Sequence, residues 1–144
     1  MMYCTLDDLL KQVPEAVLIS LTDDEGTGAI NQAVVDQAIQ AAQDEADTYI
    51  GTRYPLPLSH VPGIVKKLTA DIALYNLFAR RGFDSGENSA DNVIVRKYDG
   101  AIKLLSSIAK GAVGLGTSEP PPPSSGAQIT SSIRVFSRDK MEGF

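Results

Sequence analysis

A chain of 144 residues with 43% hydrophobic residues is large enough for one domain with a real core and too apolar to be mainly disordered. A formal net charge of -5 argues against a generic binder of phosphate backbones, and the single cysteine, Cys4, excludes an internal disulfide and fits a reducing compartment. No apolar run approaches the roughly 18 residues needed to cross a bilayer, and the opening residues lack the basic and apolar regions of a signal peptide, so a cytoplasmic protein with no membrane partner is expected.

Thr5 is placed to cap a short helix from Leu6 to about Val13, with Asp7 and Asp8 in its first turn. Pro14 interrupts it, and Glu15 to Leu21 restarts as a second short piece. Turn residues make a loop of Thr22 to Gly28. Asn31 can cap a helix running from Gln32 to about Thr52. There Val35, Ala38, Ile39, Ala42, Ala46, Tyr49 and Ile50 recur at three- and four-residue spacing, and its alanines would admit a close helix neighbour. Tyr54 to Leu58 contains two prolines and predicts an extended link pinned by Leu56 and Leu58. Pro62, at the first helical position or within a turn capped from Ser59, opens a helix to about Arg80. Its apolar residues Ile64, Val65, Leu68, Ile72, Leu74, Tyr75, Leu77 and Phe78 cover more than one face and mark it as the central core helix, ended by Gly82. Ser89 can cap a last helix to about Lys110, with Val95, Tyr98, Ile102, Leu105, Ile108 and Ala109 as its stripe and Gly111 as its terminator.

The expected fold class is therefore all-α: a small helical bundle over residues 1–116, then a Pro/Ser/Gly linker and an extended C-terminal arm over residues 117–144. Within the arm Ile129, Ser131, Ile133 and Val135 alternate with Thr130, Ser132 and Arg134. That outlines one strand, either added to another protein's sheet or left as an unstructured end.

Charge is unevenly placed. Residues 1–50 hold ten acidic groups and one lysine, and residues 51–144 hold eight acidic and twelve basic groups. Such asymmetry suits a head-to-tail ring, and ordinary solubility is the plain alternative.

The residues give no catalytic, cofactor or metal site. One histidine, His60, and one cysteine cannot make a ligand cluster. A calcium loop starting at Asp23 would need a bidentate glutamate at its twelfth position, where Val34 stands. Gly111, Gly114 and Gly116 lack the Lys-Ser/Thr pair of a phosphate loop. Asp44 and Asp47, among glutamines and alanines, read as a solvated or inter-subunit surface rather than an acid–base pair. Asp71, inside the apolar central helix, lies on an exposed strip with Lys67 or, if buried, needs a partner such as Arg53. Arg80, Arg81, Arg96 and Lys97 are placed to form a basic patch between the last two helices; without interleaved aromatics it favours a protein partner over nucleic acid.

Several stretches stand out together: Met2 to Leu9 with Leu21-Thr22-Asp23, Ala46 to Ile50 leading into Arg53-Tyr54-Pro55-Leu56-Pro57-Leu58, Val61-Pro62, Leu68 to Tyr75, Arg96-Lys97-Tyr98 before Ala101 to Leu105, and Arg134 to Asp139. In this order they resemble the small head–tail adaptor or head-completion proteins of Mu-like phages and prophages. The likeness covers nearly the whole chain, and the Arg-Tyr-Pro-Leu-Pro-Leu stretch is its most specific part. It implies a helical protein that docks as a ring between the portal protein and tail-completion or other neck proteins. Such a ring extends the DNA channel without gripping the DNA that passes. The implied protein has no catalytic residue or cofactor, is monomeric when free, and sits in the virion neck after assembly in the host cytoplasm. Arg53, Tyr54, Asp71, Arg80, Arg81, Arg96, Lys97, Ile133, Val135 and Phe136 are the expected interface or structural residues. A nucleic-acid-binding packaging or regulatory protein is the alternative. The long proline run before the arm departs from the family pattern.

Overall fold

The computed structural model describes residues 2–84, 86 and 89–116. Five helices follow one another: α1 (Leu6–Leu10), α2 (Glu15–Thr22), α3 (Gln32–Ile50), α4 (Gly63–Arg81) and α5 (Asp91–Lys110), and no strand occurs among the described residues. The all-α expectation holds. The expected strand of the arm, with Ile133 and Val135, and the expected interface residue Phe136 lie outside the described residues.

Three long helices form an up–down–up bundle. The start of α3 lies beside the end of α4, where Val34, Gln37, Ala38 and Ala41 share a groove with Asn76 and Arg80. The end of α4 meets the start of α5 through Arg81 and Asp91, and the ends of α3 and α5 meet where the Thr52 hydroxyl reaches Ala109 O. α1 and α2 pack against α4 as well. The central helix is therefore covered on several sides, which is why every residue from Leu68 to Leu74 is buried. Ile64, expected in its core, is instead exposed at its first turn, and Tyr75 is half-buried.

The apolar spacing of α3 translates directly into contact. Val35, Ala38, Ile39, Ala42, Ala46 and Ile50 are buried and Tyr49 is half-buried. In α5 the buried apolar residues are Ile94, Ala101, Leu105 and Ile108, with Val95, Tyr98, Ile102 and Ala109 half-buried. Each fully buried Leu or Ile contributes roughly 1.5–3 kcal/mol through the apolar surface it removes from water.

The helix ends show why the elements stop where they do. Asp8 reaches back to Thr5, its carboxylate accepting from the Thr5 N–H at 2.9 Å and hydroxyl at 3.2 Å. α1 ends at Leu10 rather than Val13, although Gln12 and Val13 N–H groups still bond Leu9 O. Asn31 caps α3 by accepting from Ala33 and Val34 N–H. α3 stops at Ile50 rather than Thr52, and Pro62 occupies the cap position just before α4 instead of its first turn. Ala90 holds the cap position of α5, while the Ser89 hydroxyl accepts from Asp91 N–H at 3.2 Å. Gly82 and Gly111 end α4 and α5 with positive φ, which favours glycine. In the link after α3, Leu58 is buried but Leu56 is 41% exposed, so Leu58 with Tyr54 provides the anchorage expected of Leu56.

Candidate interaction surfaces

Arg53 and Tyr54 sit where α3 runs out, with both of their N–H groups bonded to Ile50 O. Tyr54 is buried, and its hydroxyl accepts from Leu115 N–H at 3.0 Å, which ties the segment after α5 to the segment after α3. The Arg53 guanidinium lies 5.7 Å from the Tyr54 ring and against Gly111, where a Cβ would come within 3.2 Å of Cζ. Glycine at 111 is thus favoured by its positive φ, and a side chain there would also crowd Arg53. The Nε and Nη1 of Arg53 are buried without a hydrogen-bond acceptor among the described residues. Arg53 is therefore a packing element of this junction and does not reach Asp71.

Asp71 is buried, 2% exposed, and not on an exposed strip. Lys67, one turn earlier and itself largely exposed, brings Nζ to 2.9 Å from Oδ2. The long aliphatic stem lets the ammonium remain in water while it reaches the carboxylate. Asp71 Oδ1 and the nearby Thr69 hydroxyl have no hydrogen-bond partner among the described residues. The sequence offered burial with Arg53 or exposure with Lys67, and the fold combines burial with Lys67.

The four expected basic residues do not make one patch. Arg80 donates to Leu21 O at 2.8 Å and to Asp24 at 2.7 Å, fastening the end of α2 and the acidic loop to α4. Arg81 donates to Asp91 at 2.7 Å and lies 5.0 Å from the Phe78 ring. Asp91 also accepts from Asp84 N–H at 2.8 Å; that bond first, then Arg81, holds its carboxyl below the usual range against the opposing effect of burial. Arg96 is exposed, and Lys97 turns toward α1, its Nζ 3.4 Å from Gln12 Oε1.

Aromatic side chains join the three long helices. Tyr75 stacks on Tyr98 with ring centroids 3.9 Å apart, and Phe83 leans on Tyr75 at 5.1 Å. The Tyr98 hydroxyl donates to Glu45 at 2.8 Å. Burial, reinforced by Glu45, pushes the Tyr98 phenol up to about 12. The N-terminal segment is fixed in the same manner: Tyr3 donates through its N–H to Gln43 and through its hydroxyl to Asp47. Asp47 is thus a structural acceptor, while Asp44 is exposed and accepts from Gln40 one turn earlier.

Cys4 and His60 do not meet a common chemistry. Cys4 is buried, and burial, with a smaller push from Asp8 opposed by Lys66, raises its thiol to about 12, so the nucleophilic thiolate is scarce at neutral pH. His60 is exposed in the proline-bounded link. Among the described residues no group of three His, Cys, Asp or Glu is arranged to hold a metal ion, and no helix is long and apolar enough to cross a membrane. Asp23, the first residue of the acidic loop, uses its carboxylate on the loop itself, accepting from Thr27 N–H and hydroxyl and from Gly28 N–H.

Sequence reasoning passed over Thr22, Glu45 and Asp91. Thr22 is wholly buried; it donates to Leu18 O and accepts from Asn31 N–H, so one hydroxyl closes α2 and positions the cap of α3. An acidic residue in the first turn of α5 was a readable signal for Asp91; Thr22 reads as an ordinary turn residue although its partners are near in the chain, and the partner of Glu45, Tyr98, is distant.

Five helices joined by a few polar bonds between segments define a small all-α bundle protein. The family described as Bacteriophage Mu, Gp36 matches residues 3–132, and the chain belongs to that family. It is 29% identical to the Mu-like prophage FluMu protein gp36 of Haemophilus influenzae over 146 residues, covering 99% of this chain and 98% of that protein. It is 28% identical to gene product J of Escherichia phage Mu over 149 residues, covering 100% of this chain and 99% of that one.

Proposed function

We propose that this chain is a structural connector of a tailed phage or prophage, docking as a ring between portal and tail and lengthening the DNA channel. The observation that carries the reading is its end-to-end match to Mu-like phage and prophage proteins. The fold is compatible: a rigid helical unit presents charged side chains outward, and the family match continues past the described helices to residue 132. In this reading the portal and the tail-completion or other neck proteins are the partners, the chain enters the ring from the host cytoplasm, and DNA passes without specific binding. The segment after residue 116 makes a partner contact.

Electron microscopy of assembled particles tests it directly. Density for the five-helix unit in a ring between portal and tail is the expected result, and particles that lack the chain would overturn the reading. A particle-forming strain carrying a chain truncated after residue 116 should accumulate unjoined heads and tails while the truncated protein keeps its helical circular dichroism. Normal joining by that truncation would remove the role given to the C-terminal segment.

A further inference from the structure

Four lysines gather where α1, α4 and α5 approach one another. Lys11, Lys66 and Lys67 line a shallow groove between α1 and α4 together with Asp8, Gln12 and Ala70, and Lys97 of α5 reaches that same Gln12. All four are exposed. Two carboxylates lie among them, Asp8 at 3.6 Å from Lys11 and Asp71 at 2.9 Å from Lys67, so the cluster retains excess positive charge.

The opposite charge lies on another surface. From Gln12 to Thr52 the chain has no lysine or arginine, and this stretch builds α2, the acidic loop and α3. The exposed side of α3 presents Asp36 and Asp44 with Ala33, Gln37, Gln40 and Ala41. Gln32 and Gln40 each engage one oxygen of the aspartate one turn on, at 2.7 and 2.9 Å. Among the described residues no ion pair joins the four lysines to a carboxylate of α3.

We propose that the exposed side of α3 in one copy docks into the lysine-rimmed groove between α1 and α4 of a second copy. The contact joins two different surfaces, so it is heterologous and adds copies head to tail. A helix side of small and amide residues suits a shallow groove, with Lys11 and Lys66 meeting Asp36 and Asp44. The net charge of -5 opposes approach of a polyanion to the same lysines and so favours this occupant over nucleic acid. The pairing deepens the ring reading above and rests on it only for its biological setting.

Two variants of the full chain separate the faces: Lys11→Glu with Lys66→Glu, and Asp36→Lys with Asp44→Lys. Lys67 is left intact because it serves Asp71. Sedimentation at low salt should show concentration-dependent association of the wild-type chain that weakens as salt is added. Each variant alone should bind itself about tenfold more weakly or worse. An equimolar mixture should associate again beyond dimers, because Asp36 and Asp44 of one variant meet the groove lysines of the other while the introduced lysines meet the introduced glutamates. The chain carrying all four changes should associate again, with thermal melting confirming that every variant is folded. A wild-type chain that stays monomeric at low salt, variants that associate like wild type, or a mixture that forms no dimer would overturn the pairing. So would variants that change only affinity for a DNA duplex. If these variants instead formed normal neck rings in particles, this pairing would fall and the connector reading would stand. Wild-type association with the chain absent from particles would do the reverse.

Discussion

At the C-terminal end of α4, Arg80 and Arg81 are each tied to a carboxylate from another segment, Asp24 and Asp91. At its N-terminal end, Lys66 and Lys67 stand on the exposed rim of a groove with Lys11, and Lys97 comes near from α5. Both ends carry adjacent cations, but the arginines fasten loops whereas the lysines mostly face outward. Side-chain chemistry suits the division. A guanidinium presents several donors in a fixed plane and can join a carbonyl and a carboxylate together, as Arg80 does with Leu21 and Asp24. A lysine ammonium is a mobile, well-hydrated charge on a long stem. The comparison teaches that sequence counts of basic residues overstate the available positive surface at one end of α4.

Lys67 is the test that strains this division most, since it serves a buried carboxylate. Lys67→Met should destabilise the fold by about 1–3 kcal/mol, because the buried Asp71 would lose the hydrogen bond from Lys67. Urea unfolding measures it. A second change, Asp71→Leu in the Lys67→Met background, should restore most of the loss, since a buried ion pair is often replaceable by apolar side chains. No recovery would mean that Asp71 has a role beyond its pairing.

Next in size is Asp91→Asn, expected to cost about 1–2 kcal/mol at neutral pH by weakening the bonds from Arg81 and Asp84 N–H. The folded-state pKa of Asp91 lies below its ordinary 3.8, so the unfolded chain binds the proton more readily in acid. Its stabilising contribution is present above 3.8 and fades as pH falls through the lowered folded value. The stability difference between wild type and Asp91→Asn should therefore narrow in that acid range. A difference unchanged between neutral and strongly acid solution would show that the charge of Asp91 is not what holds the α4–α5 corner.

The same contrast explains what could be read before folding. Buried apolar positions repeat with the helix period, so Val35, Ile39, Ala42, Ala46 and Ile50 announced the inner side of α3, and the wider apolar coverage of α4 announced its central place. Glycines at 82 and 111 marked two helix ends by their backbone freedom. Polar partners across segments have no period. Lys67 stands one helical turn before Asp71, but that spacing does not tell whether Asp71 is buried, and the basic residues at 80, 81, 96 and 97 were dispersed by the antiparallel turn between α4 and α5. Thr22, which closes one helix and positions the next cap, looked like any turn residue. The candidate surface was thus legible as charge asymmetry along the chain, but not as the particular groove that gathers the lysines.

Arg80→Ala should cost less, about 0.5–1 kcal/mol, because its ion pair with Asp24 is exposed on both sides and water and salt screen it. The bond to Leu21 O accounts for part of that value, so high salt should reduce the loss without abolishing it.

The smallest effect separates the two ends of α4 most clearly. Lys66→Ala should change stability by no more than about 0.5 kcal/mol, since Lys66 is exposed and no ion pair to it occurs among the described residues. Its charge does act on Asp8. Burial works to raise that carboxyl, but the bonds from Thr5, followed by the charges of Lys66 and Lys11, hold it lowered. The Thr5 bonds survive the substitution, so α1 should keep its start and the melting temperature should barely move. Thermal melting of Lys66→Ala beside Arg80→Ala checks the ranking in one experiment. A loss at Lys66 equal to that at Arg80 would make the groove lysines structural fasteners like the arginines, leaving less positive surface for a second copy to meet.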